Sequence, residues 1–312
     1  MTDDLDDRLA AVLGVAEVTG LTRLSGGASR DTWRFEADGR LLILQRQRDG
    51  SVHDISVETA AIRAACAAGV PAATVVTASP DATQLDAPYM IVTHVDGETT
   101  ARKILRDDRY RSARDALPAQ LAEALAKIHS IDPTTVPGLS ETDQVEHYRE
   151  VLDFLGEPHP TFELALRWLD AYRPPISSDA VVHGDFRLGN VMVDRKGLRA
   201  VLDWEFVHLG DPMEDLGWLC VRSWRFGSPK PVAGVADYQE LFDAYEAAGG
   251  RSVHADTVRW WEVLGTMKWG IMCIMQANAH LTGVARNHEL AAIGRRVCET
   301  EHDLFLTLED RW

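Results

Sequence analysis

Residues 181–193 read VVHGDFRLGNVMV, and residues 199–205 read RAVLDWE. In each stretch an apolar run, which predicts a short strand, leads into a loop that carries polar side chains. The first loop holds Asp185 and, five residues later, Asn190; the second holds Asp203 and Glu205. Because strand ends fix loop residues on a rigid support, we expect these groups to lie together in one site.

Phosphoryl transfer requires this combination of side chains. One carboxylate orients the attacking hydroxyl and accepts its proton, while a second carboxylate and an amide oxygen hold Mg²⁺ against the phosphates. Mg²⁺ keeps several of its waters, so two protein ligands are sufficient. The alternative is that the Asp and Asn cap turns and that the D-x-E lies on a solvated surface. The order of the two motifs, each behind an apolar strand, favours the first interpretation.

The two motifs and the later run LGDPMEDLGW at 209–218 resemble the signature of the aminoglycoside phosphotransferase and choline kinase group of kinase-like folds. Within that group the chain is most similar to the branch associated with acyl-CoA dehydrogenases. The resemblance implies an α+β, two-lobe fold that binds ATP, or GTP, with Mg²⁺. It also implies Asp185 as the catalytic base and Asn190 and Asp203 as the Mg²⁺ ligands.

The chain changes character near residue 95. Before it, short β-type runs predominate, among them a hairpin predicted at Asp38-Gly39, with one helix over 56–68. After it, the spacing of apolar residues is mainly helical. We therefore predict a nucleotide-binding lobe over residues 1–95 and a catalytic and acceptor-binding lobe over residues 96–312.

The first lobe provides the candidate nucleotide contacts. Gly26, Gly27, Ala28 and Ser29 lie between two predicted strands, where glycines let the backbone approach phosphates, although such a pair also occurs in ordinary turns. The resemblance implies that Glu58 pairs with a strand cation; the alternative is a carboxylate that favours the start of a helix. It also implies that the lobe-connecting segment meets adenine at the following residues: Val92, His94 and Val95.

One expected residue is missing. No lysine precedes Lys103, although enzymes of this kind carry a basic residue on the strand that follows the glycine-rich loop. The register places Gln45 at that position, while Arg46 faces the opposite side of a regular strand. A bulge would turn Arg46 into the cleft, so we predict Arg46 as the phosphate anchor. If only Gln45 faces the nucleotide, the alternative is a catalytically silent pseudokinase that binds nucleotide or a small ligand.

Composition limits the partners. The formal net charge is -16, which repels nucleic acid and anionic membranes. No apolar run reaches the roughly 20 residues of a membrane span, and four separated cysteines are typical of reduced thiols in a cytoplasmic protein. We expect a monomer or homodimer that acts on a small hydroxylated acceptor. Its identity stays open between an aminoglycoside, a hydroxyacyl compound and another metabolite.

Overall fold

The computed structural model describes residues 4–24, 30–48 and 53–309. Its first part is a five-stranded antiparallel sheet with the strand order β1-β2-β3-β5-β4. The strands are β1 (Val18–Arg23), β2 (Arg30–Ala37), β3 (Arg40–Gln47), β4 (Val75–Ser79) and β5 (Tyr89–Thr93). Asp38 and Gly39 join β2 to β3 with φ values of 49° and 67°. Positive φ at both positions is what a type I′ turn requires, so the predicted hairpin is confirmed.

One helix packs against each face of this sheet. Helix α1 (Leu5–Leu13) covers the face that carries Leu42 and Leu44, whereas α2 (Ile55–Ala67) belongs to the core on the other face. Helix α2 begins where the Asp54 carboxylate accepts a hydrogen bond from the Ser56 N–H at 2.8 Å. Because side chains alternate along a strand, β3 directs Leu42 and Leu44 towards α1 and its odd-numbered neighbours towards α2.

The rest of the chain is mainly helical. The helices are α3 (Ala101–Arg106), α4 (Arg111–His129), α5 (Gln144–Leu155), α6 (Pro160–Ala171), α7 (Pro212–Cys220), α8 (Tyr238–Ala247), α9 (Ala255–Leu281), α10 (His288–Ile293) and α11 (Val297–Leu308). The buried helix α9 packs against α5, α6, α7, α10 and α11. Among the helices within the described ranges, none has the length and apolar character needed to cross a membrane.

Two short sheets of two antiparallel strands each support the polar loops. Strands β6 (Ala180–Val182) and β9 (His208–Gly210) form one pair, and β7 (Val191–Asp194) and β8 (Gly197–Val201) form the other. Strand β9 was not expected, because three residues are too few to show an alternating pattern. The catalytic-loop candidate 183–190 thus lies between β6 and β7, and the second loop follows β8.

The α+β arrangement expected from the sequence is confirmed: an antiparallel sheet precedes a helical part. Strand β5 ends at Thr93 and α3 begins at Ala101. Within the connecting segment, Glu98 and Val193 exchange two backbone hydrogen bonds of 2.8 and 3.0 Å. These bonds attach the connection to β7. The division of the chain at residue 95 stays a prediction.

Candidate active site

A cleft of about 310 Å³ lies between the sheet and the helical part. Both parts contribute side chains to it. The polar and charged residues that line it are Arg30, Thr32, Gln45, Glu58, Thr99, Asn190, Asp203 and Glu205. Val92 lines it as well, next to the connecting segment that holds His94 and Val95. The predicted phosphate loop, Gly26 to Ser29, lies outside the described residues.

The Asp185 carboxylate is held by three donors. Its Oδ1 accepts the Trp218 indole N–H at 2.7 Å and the Arg187 Nε–H at 3.0 Å. Its Oδ2 accepts the Asn190 amide at 2.5 Å. The residue is only 7% exposed. Since a carboxylate oxygen has two lone pairs, these bonds fill Oδ1 and leave one free lone pair on Oδ2.

A buried carboxylate holds the backbone of this loop. Asp215 on α7 accepts the His183 N–H at 2.7 Å and the Gly184 N–H at 2.9 Å. His129 at the end of α4 lies 3.1 Å from the same carboxylate through Nε2, and its Nδ1 lies 2.8 Å from the Tyr245 hydroxyl. Burial raises the pKa of Asp215, but its bonds to His129 and His183 outweigh this effect and lower the pKa. The carboxylate therefore stays ionised and fixes the loop.

His183 supports the loop from the other side. Its ring accepts the Asp185 N–H at Nδ1 (3.2 Å), which leaves Nε2 to donate to the Leu202 carbonyl at 3.0 Å. This pattern defines a neutral imidazole, and burial lowers its pKa, although Asp215 and Asp185 oppose the shift. The ring therefore connects the loop of Asp185 to the end of β8, as a brace.

Gly184 is required at its position. Its φ is 77°, and a Cβ there would lie 2.4 Å from the Phe206 carbonyl oxygen. Only glycine meets both conditions without strain. The close approach brings the two polar loops together.

Asp203 lines the cleft with a carboxylate whose charge Arg30 only partly balances. Within the described part of the chain it has no hydrogen bond or ion pair, and its φ of 61° is a strained value for a non-glycine residue. Burial raises its pKa to about 7, and the neighbouring Glu205 adds to the shift. The Asn190 amide nitrogen is occupied by Asp185, so its oxygen is the atom left to bind a ligand. Unpaired oxygens among crowded carboxylates fit a divalent cation.

The cleft contains an arginine that the sequence analysis did not single out. Arg30, at the start of β2, forms a two-point contact with Glu58 on α2, at 2.6 Å (Nη1–Oε1) and 2.5 Å (Nη2–Oε2). Glu205 lies 3.5 Å from the same guanidinium, and the Gln45 amide oxygen lies 3.4 Å from it. Arg30 and Glu58 are 5% and 2% exposed. Burial raises the pKa of Glu58, although Arg30 opposes the shift.

The prediction that Arg46 turns into the cleft is wrong for this structure. Strands β2 and β3 pair without a bulge, so Arg46 shares the face of Leu42 and Leu44. Its guanidinium donates to the Leu85 carbonyl at 3.0 Å and lies 4.9 Å from the centre of the Trp33 ring. The regular alternation of the strand is the reason, and Gln45 faces the cleft.

A second basic residue lies behind the loop. Lys268 of α9 donates to the Gly184 carbonyl at 3.2 Å, lies 3.5 Å from Glu214, and contacts the face of Trp218 at 4.9 Å. Burial lowers its pKa, but Tyr148 and Glu214 outweigh this effect and raise it. Neither Lys268 nor Arg187 carried a signal in the sequence, since an isolated basic residue has no diagnostic spacing.

These features define a kinase-like fold: a sheet and a helical part enclose a cleft, and the loop with Asp185 and Asn190 faces a second loop with Asp203. The chain belongs to the phosphotransferase enzyme family, whose family model matches residues 20–255.

Two curated relatives illustrate the sequence similarity. The chain is 28% identical over 240 residues to acyl-CoA dehydrogenase family member 10 of Mus musculus, covering 70% of this chain and 22% of that protein. It is 23% identical over 252 residues to acyl-CoA dehydrogenase family member 11 of Homo sapiens, covering 72% and 32%. The matched segment is thus less than a third of each relative.

Solved structures share the fold. A candidate aminoglycoside phosphotransferase from Ralstonia eutropha has a TM-score of 0.78 at 20% identity, covering 97% of this chain and 98% of its own. A choline/ethanolamine kinase family protein from Mesorhizobium loti has a TM-score of 0.68 at 21% identity, covering 97% and 94%. A thermostable mutant of aminoglycoside phosphotransferase APH(4)-Ia, in complex with AMP-PNP and hygromycin B, has a TM-score of 0.66 at 17% identity, covering 96% and 98%.

Proposed function

We propose that the chain is a small-molecule kinase that transfers the γ-phosphoryl group of ATP, or GTP, to a hydroxyl of its acceptor. The observation that carries this proposal is the arrangement of the two loops. Among the residues that the structure describes, Asp185 keeps one lone pair of Oδ2 without a donor, and the carboxylate of Asp203, which lines the adjacent cleft, has no hydrogen bond or ion pair. Family membership and the AMP-PNP complex of a structural neighbour support the nucleotide as donor.

Asp185 is the proposed base. Its free Oδ2 lone pair accepts the proton of the acceptor hydroxyl. The acceptor oxygen forms a bond to the γ-phosphorus while the bond from that phosphorus to the β–γ bridging oxygen breaks, and the nucleoside diphosphate leaves. Trp218, Arg187 and Asn190 fix the carboxylate, so little reorganisation is needed at the moment of transfer.

Asn190 and Asp203 are the proposed Mg²⁺ ligands, through the amide oxygen and the carboxylate. Mg²⁺ bound there neutralises charge on the phosphates. Glu205 raises the pKa of Asp203, although Arg30 opposes this effect, and a bound Mg²⁺ would reduce the repulsion between the two carboxylates. Because Glu205 also lies close to Arg30, we assign it a supporting role beside the metal site.

The remaining contacts concern the nucleotide. We place adenine beside Val92, His94 and Val95, and the phosphates near Gly26, Gly27, Ala28 and Ser29. Arg30, which Glu58 orients, takes the phosphate-anchoring role predicted for Arg46, since it is the cation at the cleft. Arginine binds phosphate oxygens through a planar fork.

Thermal unfolding with ATP and with GTP, each with and without Mg²⁺, tests this function. A ligand that binds the folded state raises stability, by about 2.7 kcal/mol at a hundredfold excess over its Kd. We expect a Mg²⁺-dependent rise in wild type, a smaller one in Asp203→Asn and an unchanged one in Asp185→Asn. The control is Asp153→Asn, an exposed carboxylate on α5.

Measured phosphoryl transfer distinguishes an active kinase from a pseudokinase that only binds nucleotide. Asp185→Asn should abolish phosphoryl transfer to hydroxylated metabolites while it preserves nucleotide binding. Nucleotide binding without transfer in wild type would favour the pseudokinase. The absence of a Mg²⁺-dependent rise with either nucleotide would contradict the proposal.

A further inference from the structure

An open groove of about 880 Å³ lies on the helical part of the molecule, between α3, the 3₁₀ turn at Arg222–Arg225 and the start of α11. We call it the arginine groove. Its basic residues are Arg102, Arg106, Arg222, Arg225, Arg296 and His302. Its volume is within the range of small-molecule sites.

The positive charge of this groove is not balanced locally. Three of its arginines have acidic partners: Arg222 pairs with Asp303, Arg296 with Glu299, and Arg225 with the buried Glu262. The other two, on α3, have no ion pair or hydrogen bond within the described part of the chain. The net charge of the chain is -16, yet these two arginines concentrate positive charge in one concavity without an acidic partner in the described structure.

Basic residues near Arg102 and Arg106 in the sequence do have acidic partners. Lys103 pairs with Glu98 at 3.0 Å, Arg109 with Asp107 at 3.2 Å and Arg111 with Asp108 at 2.9 Å. Between residues 101 and 111, all of which the structure describes, the only basic residues without an acidic partner are Arg102 and Arg106, which face the groove. They are four residues apart on one helix face, where like charges repel by a few tenths of a kcal/mol. This repulsion is relieved when an anion binds between them.

The 3₁₀ turn at Arg222–Arg225 links the arginine groove to the loop of Asp185. The residue between Ser223 and Arg225, both of which line the groove, is Trp224. Its ring lies 4.7 Å from the guanidinium carbon of Arg187, whose Nε donates to Asp185. The Trp224 indole N–H is buried without a hydrogen-bond partner in the described structure. The 3₁₀ turn that lines the arginine groove therefore also contacts the side chain that holds the proposed base.

We infer that the arginine groove binds a phosphate-bearing part of the acceptor, so that the substrates are hydroxylated compounds that already carry a phosphate or polyphosphate group. This inference rests on the proposed kinase function and specifies its substrate class. Arginine is suited to phosphate because its fork makes paired, charge-assisted hydrogen bonds. Polycationic acceptors such as aminoglycosides would be repelled by the same residues.

Direct binding tests the arginine groove independently of catalysis. Calorimetric titration with tripolyphosphate, in EDTA and without nucleotide, should show binding that weakens from 50 to 200 mM NaCl. The double variant Arg102→Gln/Arg106→Gln should weaken it about 10- to 100-fold, since two charge-assisted contacts are lost. The matched control is Arg109→Gln/Arg111→Gln, which makes the same change in charge one turn further along the chain and should stay within about twofold.

Three results would overturn the groove assignment: no binding in wild type, equal loss in both double variants, or loss of binding when AMP-PNP and Mg²⁺ occupy the cleft. The last result would place tripolyphosphate in the nucleotide site.

Turnover tests the substrate class. Pairs of hydroxyl compounds that differ by one phosphate, such as glycerol and glycerol 3-phosphate or a nucleoside and its 5′-phosphate, are compared as acceptors. We expect kcat/KM to be at least about tenfold higher for the phosphorylated member. The acceptor KM should rise in Arg102→Gln/Arg106→Gln, while the KM for ATP stays within about twofold.

The two proposals fail in different ways. Turnover of the phosphate-free members alone, or an equal acceptor KM in the two double variants, overturns the substrate class and leaves the kinase intact. Failure of Mg²⁺-nucleotide binding overturns the kinase, and tripolyphosphate binding then identifies the arginine groove as an anion site that serves no acceptor. Turnover of no member of any pair also refutes the substrate class.

Discussion

Replacing Arg30 with methionine tests the buried ion pair of the cleft. The change leaves Glu58, which is 2% exposed, without its cation. Breaking a buried pair costs about 3–5 kcal/mol when the remaining charge cannot escape. Protonation of Glu58 limits this cost, because it removes the buried negative charge. From an ordinary pKa of 4.5, protonation at pH 7 costs about 3.4 kcal/mol, at 1.36 kcal/mol per pH unit.

Because the cost of protonating Glu58 depends on pH, the decrease in the free energy of unfolding of the variant also depends on pH. A neutral Glu58 in the folded variant holds a proton that the unfolded chain releases, so stability falls as pH rises. We expect the contribution of Glu58 to the electrostatic cost of Arg30→Met to be at most about 3.4 kcal/mol at pH 7 and about 1.4 kcal/mol at pH 5.5. Urea unfolding of wild type and variant at the two pH values measures the difference.

Arg46→Met is the matched control for this prediction. Arg46 donates to the Leu85 carbonyl and packs on Trp33, and its acidic neighbour Asp86 is exposed to solvent. Its loss should cost about 1–2 kcal/mol, equally at both pH values. A pH-dependent loss in Arg46→Met, or its absence in Arg30→Met, would refute the placement of Arg30 beside Glu58.

Three further predictions concern the loop of Asp185. Asp215→Asn puts an amide N–H against a backbone donor of the loop and should lower kcat by about 100-fold with little change in nucleotide binding; equal loss of both would contradict a positioning role. Gly184→Ala should destabilise the fold by more than about 2 kcal/mol, because a Cβ meets the Phe206 carbonyl, whereas Gly156→Ala, with a similar φ and open space, should cost about 1 kcal/mol; equal midpoints in urea would refute the close contact. Below pH 6.5 His183 is protonated in the unfolded state but stays neutral in the folded state, because burial lowers its pKa. Wild type should therefore lose up to about 1.4 kcal/mol of stability per pH unit relative to His183→Gln. Parallel stability curves from pH 7.5 to 5.5 would disprove the neutral, buried ring.

Local pattern was sufficient to predict the elements that carry the catalytic loop. The runs before Asp185 and Asp203 were expected as strands and are strands, and the Asp-Gly hairpin has the expected geometry. Helix α5 follows its N-cap Asp143 and ends before a glycine, and both residues are local signals in the sequence. These features depend on neighbours within about ten residues.

Arg30 could not be predicted in the same way. Its partner Glu58 lies 28 residues away on a helix, and its contact with Gln45 crosses to the next strand. The pairing of β2 with β3 places Thr32 opposite Gln45 and Arg30 opposite Gln47. An arginine side chain is long enough to reach over one residue pair to the position where a lysine was expected. A cation from the neighbouring strand thus lies beside Gln45, where a strand lysine was expected, and the sequence of β3 alone does not show it.

The net charge of the chain says less about the acceptor than the charges of the residues that line the groove. At physiological ionic strength charges are screened beyond about 8 Å, so the potential in a groove depends on the side chains that line it. The arginine groove keeps Arg102 and Arg106 without acidic partners in the described structure, although acidic residues outnumber basic ones 48 to 32 over the chain. An acidic surface favours a cationic acceptor only where its carboxylates face the bound molecule. At this groove Glu299 and Asp303 are paired with Arg296 and Arg222, so the unpaired charge is positive, and this is the basis of the inferred preference for an anion.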